Sequence, residues 1–268
     1  MKITALQSTP WLVRTPAPGR QMRLFCFSYA GGNAFNFFRW QESLDSSIEV
    51  AAVQLPGRGA RIAETPIASM STLLRALAPV LAQRDELPFA FFGHSVGALV
   101  AFELTRYLQL HGLSLPRHLF LSGCQAPQFR SPSRQLHLLS DDAFMAVLGH
   151  YNGTPPDVLQ NTELMQLLLP TIRADFALAE DYRYRSGPLL PLPISVFAGR
   201  DDDNKASGQV EGWAKETAEA CQVTWFNGGH FFVNSDRDAV LNRLQVELLA
   251  LRRSPTAANG LGESARRA

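Results

Sequence analysis

The sequence is short of most features that mark a specialised protein class. Charge is balanced: 25 Lys and Arg stand against 24 Asp and Glu, a net of +1 over 268 residues. Phosphate backbones are held by clustered excess cations, so this balance argues against nucleic-acid binding. Cysteine is scarce: Cys26, Cys124 and Cys221 lie far apart, with no C-x-x-C pair among them. That spacing excludes a disulfide frame and a zinc site and suits free thiols in a reducing compartment. No apolar run approaches the roughly 18 residues that a membrane-spanning helix requires. The N-terminal stretch MKITALQSTPWLVRTPAPGR has three prolines and no continuous apolar segment, unlike a secretory signal. No internal repeat is found. What remains is an ordinary globular composition, 46% hydrophobic and 18% charged, expected in the cytoplasm and large enough for a substantial core.

Short apolar runs alternate with amphipathic ones. RLFCFS (Arg23–Ser28), VAAVQL (Val50–Leu55), FAFFG (Phe89–Gly93), HLFLSG (His118–Gly123), ISVFAG (Ile194–Gly199) and VTWF (Val223–Phe226) have the length and content of buried strands. Helical spacing covers Ser71–Gln83, Val96–His111, Gln209–Cys221 and Arg237–Arg252, with Pro79 expected to bend or split the first. Strands alternating with helices imply an α/β fold with a mostly parallel sheet flanked by helices. Between Gly123 and Pro193 only helical patterns occur. One starts after the N-cap residue Ser140, and one is interrupted at Pro170. This stretch, about residues 125–188, is read as a helical lid inserted over the sheet's carboxyl edge. The expected organisation is a single domain over 1–252 with a disordered polar tail over 253–268.

Gly93-His94-Ser95-Val96-Gly97 fits G-x-S-x-G at a junction of strand pattern and helix pattern. There the small residues admit a strained turn that exposes one hydroxyl at a helix N-terminus. A serine hydroxyl is a weak nucleophile and needs a base. Of six histidines, His230 in FNGGHFFV follows the last expected strand on a glycine-rich loop, where such a sheet delivers its base. His94, His111, His118, His137 and His150 read as structural or solvent-facing. The base needs a carboxylate to hold its tautomer. VFAGRDDDN offers Asp201, Asp202 and Asp203; Asp202, three residues past the strand-ending glycine, is favoured, with Asp201 the alternative. An oxyanion hole needs a second amide beside that of Val96, and FSYAGGNAF offers Ala30 next to Gly31 and Gly32.

Together the motifs YAGGNA, LPGRGAR, GHSVGALVAFEL, LLLPTIRADFALAEDY, GRDDDN with EGW, and GGHFFV resemble type II thioesterases. These are the stand-alone editing enzymes that accompany nonribosomal peptide and polyketide synthases. The resemblance covers roughly residues 20 to 250. It implies an α/β-hydrolase fold with a helical lid, no cofactor or metal, and hydrolysis of acyl thioesters on the phosphopantetheine arm of carrier proteins. It also implies a nucleophile at Ser95, an acid at Asp202, a base at His230, and oxyanion donors at the Ala30 and Val96 amides. Ser28 stands where the family often has proline, and Val96 where methionine or leucine is common. Arg58 and Arg61 in LPGRGAR suggest a small basic patch facing the carrier, with a solvated tight-turn loop as the alternative. The chain is expected to act as a monomer without nucleic acid or membrane. The competing readings are an esterase or lipase, a product-releasing thioesterase, and a non-catalytic binding module on the same fold.

Overall fold

In the computed structural model, which describes residues 9–81, 87–130, 135–150, 153, 156–203 and 208–253, the apolar runs become strands of one sheet. They are β1 (Leu12–Arg14), β2 (Met22–Phe27), β3 (Ile48–Val53), β4 (Phe89–His94), β5 (Leu119–Ser122), β6 (Ile194–Gly199) and β7 (Cys221–Phe226). The spatial order is β1-β3-β2-β4-β5-β6-β7, and β1 alone runs antiparallel to its neighbour. Strands β2, β3, β5 and β6 are buried at every residue, which is why they read as unbroken apolar runs. The helices are α1 (Trp40–Ser43), α2 (Met70–Leu81), α3 (Val96–Leu110), α4 (Asp141–His150), α5 (Pro156–Leu159), α6 (Thr162–Glu180), α7 (Phe232–Ser235) and α8 (Arg237–Arg253). This is the α/β-hydrolase arrangement.

Successive side chains of each strand leave on opposite faces. Phe91 packs with α2 and α3 residues such as Leu77 and Phe102, and Phe92 packs with Trp40 and the α8 residue Leu244. Full burial of each such ring contributes about 1.5–3 kcal/mol. The strand order reverses at β2, with β3 on one side and β4 on the other. Neighbouring strands there send their connections to opposite faces, so a crevice opens at their carboxyl ends. Among the described residues no helix is long and apolar enough to cross a membrane.

Three expectations are corrected. Helix α2 is one helix over Met70–Leu81 with Pro79 inside it, so the expected split does not occur; its buried face of Leu73, Leu74, Leu77, Ala78 and Leu81 offsets the backbone bond that the proline removes. Helix α6 likewise continues through Pro170, which is exposed, while its neighbours Leu169, Thr171 and Ile172 are buried and hold the helix to the body. The helix expected over Gln209–Cys221 is only a 3-10 turn at Glu211–Lys215, and Cys221 already belongs to β7. Buried Trp213 donates from Nε1 to the Cys124 carbonyl, and the Thr217 hydroxyl bonds to the carbonyls of Leu190 or Leu192. These tertiary anchors override the local helical preference. The proposed tail falls outside the described residues from 254 onward.

Under β5 and β6, His118 is buried against Phe120, its Nε2 2.8 Å from Ser195 Oγ. Burial, helped by Arg243, lowers its pKa to about 4, despite the Glu247 carboxylate 3.5 Å away. An unfolded histidine takes its proton near 6.5, so between pH 6.5 and 4 the unfolded chain binds a proton that the folded chain refuses. Stability is therefore fully present above this window and declines as the pH falls through it, by about 3 kcal/mol. Thermal melts of His118→Gln are expected to show a shallower decline of Tm across that range than the parent chain. Parallel slopes would contradict it.

Candidate active site

Strand β4 passes into α3 through one residue. Ser95 has φ 58° and ψ −121°, a backbone state that costs on the order of 1–3 kcal/mol and persists only where the surroundings impose it. Its N–H donates to the Ser122 carbonyl at 2.8 Å, tying the turn to β5. The flanking glycines are required by contact. A Cβ on Gly93 would lie 2.2 Å from the Gly97 carbonyl oxygen, and one on Gly97 would lie 2.3 Å from that of Phe27. The second contact brings the first turn of α3 against the end of β2. The G-x-S-x-G spacing thus reflects two backbone approaches, one within the turn and one to the neighbouring strand.

The loops after β6 and β7 run against each other. Arg200 N–H donates to the Phe226 carbonyl at 3.0 Å and Asp201 N–H to that of Gly228 at 3.1 Å. A Cβ on Gly199 would sit 2.5 Å from the Gly229 carbonyl oxygen, so this approach also needs a glycine. The result carries His230 to the elbow: Nε2 is 3.1 Å from Ser95 Oγ, and Nδ1 is 2.9 Å from Asp202 Oδ2. The Asp202 side chain is 0% exposed and that of His230 17%, whereas Asp201 and Asp203 are exposed. Of the three candidate carboxylates, Asp202 meets the imidazole.

His94 forms the floor beneath His230. It is wholly buried, its Nδ1 is 2.8 Å from Ser122 Oγ, and its ring centroid is 5.2 Å from that of His230. Phe231 stands edge-on to the His230 ring at 5.1 Å, and Tyr29 packs against Phe231 at 5.1 Å. A Cβ on Gly153 would touch the Phe231 ring at 2.5 Å, so the helical insertion reaches the wall of the site. Phe144, Leu148, Met165, Leu169 and Ile172 pack into a small core of the insertion's own. Burial pushes the Cys26 thiol well above its usual pKa and the Cys221 thiol to about 11. Neither is a thiolate near neutrality.

After β2, Gly32 N–H donates to the Tyr29 carbonyl at 2.9 Å, closing a tight turn in which Gly31 takes φ +73°. Among the described residues the Ala30 and Val96 amides have no acceptor within the chain. The basic patch proposed for Arg58 and Arg61 is overturned, since the two residues are only 5% and 7% exposed. Arg58 forks onto Asp175 at 2.7 and 2.8 Å. Arg61 pairs with Glu64, donates to the Gln54 carbonyl and lies 4.0 Å over the Trp11 ring. Asp175 was overlooked as a site residue in the sequence. Its only signal there was its place in R-A-D, one of the motifs carrying the resemblance.

The sheet, the strained turn and the Ser95–His230–Asp202 chain define a hydrolase of the α/β-hydrolase class. A family model described as a thioesterase domain matches residues 22–248. Gramicidin S biosynthesis protein GrsT from Aneurinibacillus migulanus is 38% identical over 228 residues, 85% of this chain and 89% of that one. Thioesterase PikA5 from Streptomyces venezuelae is 38% identical, with 92% and 88% covered. The structure of the type II thioesterase BorB from the borrelidin biosynthetic cluster superposes with a TM-score of 0.82 at 37% identity, covering 90% of this chain and 99% of that one. The chain belongs to the thioesterase family, in its type II branch, and is a thioester hydrolase.

Proposed function

We propose that this chain removes acyl or aminoacyl groups from the phosphopantetheine arm of carrier proteins, an editing role in nonribosomal peptide or polyketide biosynthesis. The observation that supports it is the hydrogen-bonded chain Ser95–His230–Asp202 at the carboxyl edge of the sheet, in a thioesterase with relatives from such pathways. His230 takes the proton from Ser95 Oγ as that oxygen bonds to the thioester carbonyl carbon. The Ala30 and Val96 amides hold the resulting oxyanion, and Asp202 keeps Nδ1–H toward itself and stabilises the imidazolium. The carbon–sulfur bond then breaks and His230 gives its proton to the departing thiolate. Water, deprotonated by the same imidazole, attacks the acyl-serine. The bond from the acyl carbon to Ser95 Oγ breaks and His230 returns the proton to that oxygen, so that the products are a free carboxylic acid, a free carrier thiol and the restored serine.

The insertion between β5 and β6 acts as the lid. An apolar acyl site beneath it would discriminate by only about 1–3 kcal/mol per methylene, which suits removal of many different wrong groups. The protein works in the cytoplasm as a monomer, where its three thiols stay reduced. Intact mass of an acylated carrier protein before and after incubation tests the reading, alongside acyl coenzyme A and a nitrophenyl ester. Loss of the acyl mass with kcat/KM at least about tenfold above the oxygen ester is expected. Faster turnover of the ester with the carrier untouched would replace editing by a simple esterase role; a tenfold ratio corresponds to about 1.4 kcal/mol of transition-state preference.

A further inference from the structure

Three stretches far apart in the sequence meet beside the elbow. The turn Tyr29–Gly32 follows β2, the segment Leu55–Arg61 follows β3, and Thr171 to Asp175 lie on α6 in the insertion. Asp175, 1% exposed, accepts from the Gly31 N–H at 2.8 Å through Oδ2 and takes both arms of the Arg58 fork. Arg58 also donates to the Gly32 carbonyl at 3.0 Å. One helical turn before Asp175, the Thr171 hydroxyl donates to the Gly57 carbonyl. Ile172 closes the contact, with its Cγ1 3.1 Å from where a Cβ on Gly31 would stand. Both glycines take positive φ here, Gly31 at +73° and Gly57 at +83°, so the backbone is shaped around the charge pair.

Ala30 is joined directly to Gly31, whose amide is the atom that Asp175 holds. A bidentate arginine–carboxylate pair is directional, and inside a protein it is far stiffer than a solvated loop contact. We infer that Arg58 and Asp175 are positioning residues: their buried pair sets the Ala30 amide at the place where the oxyanion forms. Displacement of α6 would carry Gly31 with it, so the insertion and the oxyanion donor move as one body. This rests on the proposed role of the Ala30 amide.

The test compares two ligands of the whole protein. An acyl trifluoromethyl ketone bonds to Ser95 Oγ, with the proton passing to His230, and presents an oxyanion; the matching thioether occupies the same space without one. Arg58→Met/Asp175→Leu removes both charges together and so strands no buried ion, the combination that tends to be tolerated. A catalytic donor misplaced by about 1 Å costs on the order of 10²-fold in rate, comparable to losing the donor. The double variant is expected to keep its Tm, lose about 10²-fold in kcat and in ketone affinity, and retain its KM and thioether affinity. Arg58→Lys, which keeps the charge but not the fork, is expected to lose about tenfold in the same two quantities, and it serves as the readout if the double variant does not fold. Parent-like kcat and ketone affinity, or ketone and thioether affinities falling together, would overturn the proposal. A parent protein that binds the ketone no better than the thioether would overturn the oxyanion assignment itself, a distinguishable result.

Discussion

Ser95→Ala is expected to lower kcat on an acyl thioester by roughly 10⁴–10⁶-fold and to leave KM within a few-fold. In the proposed mechanism the serine oxygen becomes the bonded atom of the intermediate, so no neighbour can stand in for it. Its Oγ partner is His230, and the turn itself is held by Gly93, Gly97 and the Ser95 N–H to Ser122, none of which the substitution touches. The fold should therefore survive with little change in Tm. A fluorophosphonate probe checks the assignment directly, by labelling the parent and sparing the variant. Labelling that persists, or a kcat within tenfold of the parent, would place the nucleophile elsewhere.

The next largest effect concerns a choice between neighbours. Asp202→Asn is expected to cost about 10⁴-fold in kcat, whereas Asp201→Asn should change it less than about threefold. Asp202 is buried and faces Nδ1 at 2.9 Å; Asp201 is exposed and contributes its backbone to the contact with Gly228. An asparagine amide at 202 can donate to Nδ1, which moves the ring proton to Nε2 and leaves the imidazole unable to accept from Ser95. Substrate binding needs neither proton, so KM should hold. Steady-state kinetics on one thioester with both variants decides it; equal losses would mean that the two side chains exchange roles.

The sequence carried the sheet and the meeting of Ser95 with His230 for physical reasons that can be named. Buried parallel strands leave unbroken apolar runs, and Ser95 and His230 sit where a strand pattern ends and the chain must turn. It could not separate Asp201 from Asp202, because facing inward at a loop depends on the neighbouring loop after β7. It misjudged Pro170, since the roughly 3 kcal/mol that an interior proline costs is offset by burial of the helix's other face, which no local pattern reveals. It read Arg58 as a surface cation because the partner, Asp175, lies 117 residues away. Charged side chains in a glycine-rich loop look solvated until the element that covers them is known.

The layout of the sheet has a kinetic corollary. The Ser95 hydroxyl meets an imidazole 135 residues further along, and the Gly31 amide meets a carboxylate 144 residues away. Each pairing needs closure of a long loop before it repays the lost chain entropy, and parallel strands add crossovers of their own. During synthesis the elbow leaves the ribosome well before β7 and His230 exist. A nascent or half-refolded chain can thus hold most of its helices while remaining chemically inert, and hydrolysis begins only when the last edge strand docks.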